Sequence, residues 1–110
     1  MTPFPLQILT PAGPVFDGPA LFVGARSTEG ALGVLARHAP MVAACPAGAV
    51  RVQRAEGWAY FAVSPAILRT DGRGAVVLAA RAEPADGEAA AIRAAREWEQ
   101  PGDSPANSNA

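Results

Sequence analysis

The stretch AVRVQR-AEG-WAYFAV, residues 49–63, shows most clearly how this chain folds. In its first half, Val50 and Val52 alternate with polar residues, which is the two-residue period of a strand with one buried face. Glu56-Gly57 then interrupts the run, and glycine supplies the backbone freedom that a tight turn requires. A second run rich in aromatic and apolar residues follows at Trp58–Val63. The stretch therefore predicts a β-hairpin whose valines face a core.

The same punctuation continues over most of the chain, because glycine and proline divide residues 4–81 into short apolar pieces. Asp71-Gly72 marks a second hairpin turn. An open sheet of this size would leave an apolar face uncovered, so we predict a mainly β fold, a flattened sandwich or barrel of about eight to ten short strands. The predicted strands are Phe4–Thr10, Pro14–Phe16, Leu21–Arg26, Ala31–Leu35, Met41–Cys45, Ala49–Arg54, Trp58–Val63, Ile67–Thr70 and Ala75–Ala80.

The pattern changes to that of a helix after Glu83-Pro84. Residues 88–99 lack strand punctuation, Asp86 is placed as a helix N-cap, and Pro101-Gly102 would end the helix. Its apolar positions Ala91, Ala95 and Trp98 share one side. We expect a β domain over residues 1–83, one short helix within 84–100, and a disordered tail at 101–110.

Composition argues against several classes of function. The net charge is −1, and the basic residues are nine scattered arginines with no lysine, so we expect neither nucleic-acid binding nor lysine-dependent phosphate or Schiff-base chemistry. The single cysteine, Cys45, excludes an internal disulfide and a cysteine-based zinc site. No signal-peptide pattern or 18-residue apolar run is present, so we expect no insertion into a membrane. We also expect no cofactor, metal or small-molecule substrate.

Two groups of residues offer alternatives to a purely structural role. His38 and Cys45 could form a nucleophilic dyad of a small hydrolase, although no third orienting group is evident and a loop histidine with a buried cysteine is the simpler interpretation. Trp58, Tyr60 and Phe61 could form the face of a stand-alone β-sandwich module that binds carbohydrate or peptide. As sandwich aromatics they are the more common case.

A specific motif occurs in Thr28–Val42, TEGALGVLARHAPMV. It resembles the signature of the epsilon subunit of rotary F-type ATP synthases, an S/T-E-G-x-L-G-I/V run followed closely by H-A-P. Supporting matches occur in the same order at Ile8–Gly18, Gly48–Val52, Phe61–Ser64 and Val76–Ala79, so the resemblance covers about residues 4–83. One departure is Ala36-Arg37, which stands where the family usually has Pro-Gly, and we expect the hairpin to differ in shape there.

The resemblance implies a non-enzymatic rotor subunit of the central stalk, peripheral at the cytoplasmic face of a bacterial inner membrane. Such a subunit couples a gamma subunit to the membrane c-ring during proton- or sodium-driven ATP synthesis. The resemblance also implies that the inhibitory two-helix arm of many relatives is reduced here to one helix. The implied c-ring contacts are Thr28, Glu29, Gly30 and Ala31, and the implied gamma-subunit contacts are His38, Ala39, Pro40, Met41 and Val42.

Overall fold

The computed structural model describes residues 1–99, and within that range the chain forms ten strands and one helix. The predicted end of the helix at Pro101-Gly102 and the predicted tail at 101–110 lie outside the described residues. The elements are β1 (Phe4–Thr10), β2 (Gly13–Ala20), β3 (Phe22–Ser27), β4 (Gly30–Val34), β5 (Met41–Cys45), β6 (Gly48–Arg54), β7 (Gly57–Val63), β8 (Ala66–Thr70), β9 (Ala75–Ala79), β10 (Ala82–Ala85) and α1 (Glu88–Arg96).

The strands form two five-stranded sheets, which confirms the predicted sandwich. Sheet A has the order β2-β1-β9-β8-β5, and sheet B has the order β10-β7-β6-β3-β4. Neighbouring strands are antiparallel except for β1 and β9, which run parallel in the centre of sheet A. The core lies between the sheets. Its largest fully buried side chains are Leu6, Ile8, Val23, Val34, Val50, Val52, Val63, Leu68 and Val77.

The predicted hairpins are confirmed at both turns. β6 pairs with β7 from Gly48↔Val63 to Arg54↔Gly57, and Gly57 adopts a φ of 134°, which a side chain would disfavour. At the turn between β8 and β9, Oδ1 of Asp71 accepts hydrogen bonds from the backbone N–H groups of Arg73 (2.8 Å) and Gly74 (3.0 Å). These two bonds favour the carboxylate and lower the pKa of Asp71.

Two strands differ from the sequence prediction. The piece predicted as Pro14–Phe16 extends over Gly13–Ala20, and β10, at Ala82–Ala85, was not predicted. β10 pairs with β7 at the edge of sheet B. Its sequence, AEPA, has no apolar alternation and contains a proline, which sheets tolerate at an edge where one N–H is not needed. β10 crosses residue 83, where the sequence analysis places the domain boundary.

Helix α1 packs on the outer face of sheet B through small side chains. Ala91 and Ala95 are buried against Ala62, and Ala47, Ala49, Ala85 and Ala94 surround this contact. Trp98 follows the helix, is only 7% exposed, and lies under the guanidinium of Arg81 at 4.7 Å from the ring centroid. The predicted buried side of Ala91, Ala95 and Trp98 is therefore confirmed.

The predicted N-cap of this helix is wrong. Gly87 occupies the cap position with an extended backbone, and no side chain makes a capping hydrogen bond. Asp86 lies one residue too early, so its carboxylate cannot accept from the first free N–H groups of the helix.

Arg37 is the one non-glycine residue with a positive φ, 64°, within residues 1–99. It stands where the related motif has glycine, so an arginine adopts the left-handed conformation that glycine would adopt there. The left-handed conformation destabilises the folded state by about 1–2 kcal/mol when the residue has a side chain. Glycine avoids this steric cost, but it loses more backbone entropy on folding, which destabilises the folded state by about 0.5–1 kcal/mol.

Replacing Arg37 with glycine is therefore expected to raise the free energy of unfolding by about 0.5–1 kcal/mol. The measurement is urea denaturation followed by circular dichroism. Arg73→Gly is the control, because Arg73 is also an exposed loop arginine but has no positive φ. An equal increase in the free energy of unfolding of both variants would contradict the idea that the backbone is strained at Arg37.

Candidate partner-binding surface

The outer face of sheet A carries a continuous row of apolar side chains. Strand register places Leu9 beside Leu78, Leu78 beside Ile67, and Ile67 beside Ala44, across four neighbouring strands. Ile67 is 40% exposed and Leu78 is 42% exposed, although both sit in the middle of a regular sheet. We call this row of four residues the apolar face. Contiguous exposed apolar surface of this kind is typical of a protein interaction site.

The apolar face forms the floor of a shallow concavity of about 860 Å³. Pro11, Pro46 and Pro65, from three different turns, line it together with Thr28. Proline restricts the backbone, so these turns hold the rim without a large loss of chain entropy when a partner binds. The surface is thus prebuilt for a partner with a complementary apolar shape.

The two sheets differ in how their outer faces are covered. On sheet B, α1 buries Ala62 completely and packs against Ala49. No helix or loop within residues 1–99 plays this role on sheet A, where Ile67, Leu78 and Val42 remain exposed. The difference identifies sheet A as the side of the molecule that lacks a covering layer.

The predicted c-ring contacts lie at the turn between β3 and β4. Thr28 lines the concavity, and its N–H donates to the carbonyl of Ala44 at 3.0 Å. Glu29 is exposed at the tip, and Gly30 has a φ of 126°. Ala31 faces the outside of sheet B. The four residues thus share one end of the sandwich, with only Thr28 on the side of the apolar face.

The predicted gamma-subunit contacts begin at the opposite end of the sandwich. Nδ1 of His38 donates to the carbonyl of Ala39 at 2.8 Å, and that carbonyl also accepts from Oγ1 of Thr70 at 2.7 Å. Pro40 follows, and then Met41 and Val42 enter the edge strand of sheet A. Val42 is 68% exposed on the same side as the apolar face. These five residues are consecutive in sequence, but in the fold they extend along one edge of sheet A and do not form a single compact patch.

The structure does not bring His38 and Cys45 together. Cys45 is four residue steps from Met41, which amounts to about 13 Å along β5, and His38 lies further back in the preceding loop. The Cys45 side chain is buried, and burial raises the pKa of its thiol, which opposes formation of the nucleophilic thiolate. The hydrolase alternative is wrong for this reason.

Residues 1–99 contain no cluster of three or more His, Cys, Asp or Glu side chains that could hold a metal ion. In the same range, no helix has the length and apolar character needed to cross a bilayer.

The aromatic alternative also fails on geometry. Trp58 and Tyr60 stack on the outer face of sheet B with ring centroids 6.4 Å apart. Phe61 points into the core, where it is 5% exposed and meets Phe16 edge-on at 5.7 Å. Successive side chains of a strand face opposite sides, so the three rings cannot form one binding face. A carbohydrate- or peptide-binding module based on them is not supported.

The apolar face was not predicted, although the sequence of its strands indicates it. β9 reads AVVLA, without a polar residue, and Ile8-Leu9 and Ile67-Leu68 place two large apolar residues side by side. A strand covered on one face alternates apolar and polar residues, whereas a strand covered on both faces is apolar throughout. These pairs therefore indicate a second covering layer over sheet A.

Comparison with known proteins gives a consistent family. The model of the ATP synthase delta/epsilon chain β-sandwich domain matches residues 3–85. The ATP synthase epsilon chain of Anoxybacillus flavithermus is 38% identical over 93 residues, which cover 84% of this chain and 69% of the relative. The epsilon chains of Priestia megaterium (37% identical) and Desulforamulus reducens (41%) each align over 81 residues, 74% of this chain and 60% and 61% of theirs. This chain thus spans about 60–70% of the length of these relatives.

Solved structures share the fold. A chain of the Euglena gracilis mitochondrial ATP synthase, from a structure of its OSCP, F1 and c-ring, superposes with a TM-score of 0.71 at 17% identity over 91% of this chain and 76% of that chain. A chain from the central stalk and c-ring of the Tetrahymena thermophila mitochondrial ATP synthase gives 0.58 at 14% identity, over 71% and 63% of the two chains.

Proposed function

Because this chain belongs to the ATP synthase delta/epsilon chain family through its β-sandwich domain, we propose that it is a non-catalytic rotor subunit of the central stalk. It couples a gamma subunit to the membrane c-ring during proton- or sodium-driven ATP synthesis. It is peripheral, at the cytoplasmic face of the bacterial inner membrane, as part of the complex. A rigid sandwich suits this task, because closely packed interiors transmit strain between the partners that they hold.

The observation that carries the proposal is the uncovered apolar face of sheet A. A gamma subunit seated there would bury Ile67 and Leu78 and supply the missing layer over this sheet. Val42 borders the face on the edge strand and extends the contact, whereas the side chain of Met41 packs against the core. His38, Ala39 and Pro40 lie at the end of the sandwich opposite the concavity, so they contact a gamma subunit only if it extends along the whole sheet.

The proposed c-ring contact lies at the end of the sandwich that adjoins the concavity. The turn that carries Thr28, Glu29, Gly30 and Ala31 projects beside the concavity, so one partner can cover the face while another meets the tip. Glu29 supplies an exposed charge for the polar loops of a ring. The two partners are thereby held in a fixed relative position by a single stiff domain.

The test is the affinity of the purified chain for a gamma subunit, with Ile67→Glu as the variant. We expect binding to weaken about tenfold or more, because the interface would bury an unpaired carboxylate. Ile92→Glu is the matched control: Ile92 has the same 40% exposure but lies on α1, on the other side of the molecule. Unchanged binding of Ile67→Glu, or equal loss in both variants, would contradict the assignment of the apolar face.

A further inference from the structure

A second row of side chains crosses the outer face of sheet A, next to the apolar face. Strand register places its members side by side on all five strands, in the order Asp17, Gln7, Val76, Arg69 and Val42. We call these five residues the charged row. Its first four members line a second concavity of about 340 Å³. The row carries one charge of each sign, on strands that lie about 14 Å apart.

Arg69 differs from the other charged residues of this surface in its surroundings. It is exposed on β8, and its two neighbours in the row, Val76 and Val42, are apolar. An opposite charge directly across on an adjacent strand would stabilise it, but valine occupies that position on both sides. Within residues 1–99 the one ion pair joins Arg54 to Glu56, so Arg69 has no carboxylate partner in that range.

The other charges around the second concavity interact within the chain. Nε2 of Gln7 donates a long hydrogen bond of 3.4 Å to Oδ2 of Asp17, across the β1–β2 pair. At the turn after β8, the N–H groups of Arg73 and Gly74 donate to the carboxylate of Asp71. These two bonds are the main reason that the pKa of Asp71 is lowered, and the positive charge of Arg73 adds to the effect. The arginine of β8 is thus the charge of this concavity that the described part of the chain leaves unpaired.

A gamma subunit seated on the apolar face also covers Arg69. Arg69 follows Ile67 by two residues on the same side of β8, so their Cα atoms are about 7 Å apart. A stable interface buries about 800 Å² on each partner, which corresponds to a patch roughly 30 Å across. An interface of that size centred on Ile67 and Leu78 extends over the charged row. Because a guanidinium that leaves water without a counter-charge strongly opposes binding, the partner has to supply a carboxylate.

We propose that Arg69 is a specificity-determining residue of the gamma contact and pairs with a carboxylate of the gamma subunit. The planar guanidinium suits such a group, because it can donate two parallel hydrogen bonds to it. This pairing rests on the proposed function, since it describes what the gamma subunit presents to sheet A. Asp17, at the other end of the row, fixes the orientation. A gamma subunit turned by half a circle would bring its carboxylate toward Asp17, and like charges in an interface oppose association.

The first test replaces Arg69 with methionine, which has a similar length but no charge. Arg69→Met leaves the carboxylate of gamma without a partner, so we expect the affinity for gamma, measured by isothermal titration calorimetry, to fall at least about tenfold. A gamma subunit with apolar surface at this point would give the opposite result, because methionine would extend the apolar face and tighten binding. Arg93→Met is the matched control: Arg93 is also exposed but lies on α1, on the other side of the molecule, and its loss should leave the affinity unchanged.

The second test exchanges charges between the two partners. Arg69→Glu is combined with gamma variants in which one acidic residue at a time is replaced by lysine. Arg69→Glu should weaken binding of unchanged gamma at least about thirtyfold, the lower end of the range for a broken charge pair in an interface. One of the lysine variants should bind Arg69→Glu at least about tenfold more tightly than unchanged gamma does. A misfolded chain would not regain affinity in this way.

The results distinguish this pairing from the proposed function. Weaker binding of Ile67→Glu together with unchanged or tighter binding of Arg69→Met overturns the pairing alone and leaves the apolar face as the gamma contact. Failure of every lysine variant of gamma to restore binding to Arg69→Glu also overturns the pairing. Absence of gamma binding by the unchanged, folded chain overturns both the pairing and the proposed function.

Discussion

Leu68→Ala is expected to lower the free energy of unfolding by about 2–5 kcal/mol, the range observed when a buried leucine is truncated. Leu68 is 1% exposed and lies in β8, between Val77 of β9 and Ala43 of β5. Its side chain points into the core between the two sheets, where removal of three carbons leaves a cavity that the strands cannot close. A domain of this size is stable by only about 5–15 kcal/mol, so this single change removes a large share.

The neighbouring substitution Ile67→Ala supplies the comparison. Ile67 lies on the same strand but faces out from sheet A, so we expect its truncation to change stability by no more than about 0.5 kcal/mol. Both variants are measured by urea denaturation of the isolated chain. Similar losses would show that Ile67 is buried in the isolated chain, for example by self-association, and the apolar face would then be occupied before any partner binds.

Ala62→Leu is expected to separate α1 from sheet B. Ala62 is fully buried beneath Ala91 and Ala95, so a leucine side chain finds no space, and overpacking of this kind costs about 1–3 kcal/mol. α1 has nine residues, and a helix shorter than about 12 residues is marginal in water without tertiary packing. The loss of contact should therefore also unfold the helix.

The measurement for Ala62→Leu is the fluorescence of Trp98 in a Trp58→Phe background, where Trp98 is the remaining tryptophan. Emission should shift to longer wavelength as Trp98 leaves its buried position under Arg81, and the far-UV circular dichroism should lose helical signal. Ala55→Leu adds the same side chain at an exposed turn position and should do neither. If the emission of Trp98 in Ala62→Leu stays at the wavelength of the unchanged chain, the close contact of Ala62 with Ala91 and Ala95 is contradicted.

The sequence predicts this fold well where local pattern and core position agree. Val50 and Val52 alternate with polar residues, and Gly57 marks the turn, so the hairpin is evident without a structure. β10 fails this test, because AEPA reads as a loop and becomes a strand only through pairing with β7 at a sheet edge. Asp86 fails for another reason: the extended Gly87 delays the start of the helix by one residue, a backbone detail that residue preferences do not specify.

The candidate surfaces are harder to predict, because they depend on which strands are neighbours. Leu9 and Leu78 are 69 residues apart in sequence, yet the parallel pairing of β1 and β9 places them side by side. The contacts that the family motif implies, Thr28–Ala31 and His38–Val42, are two segments that are each continuous in sequence. Three of the four strands that build the apolar face lie outside both segments, and none of its four residues belongs to either. A tertiary surface of this kind becomes visible only when the strand order is known.

The parallel pairing of β1 with β9 also affects how the chain is made. The first strand leaves the ribosome with only β2 available to it, and its second neighbour follows more than sixty residues later. Because contacts between distant residues slow folding, completion of this sheet is a late event. Until then the side chains of Leu6 and Ile8 remain without their full cover, and the nascent chain is at its most prone to aggregate.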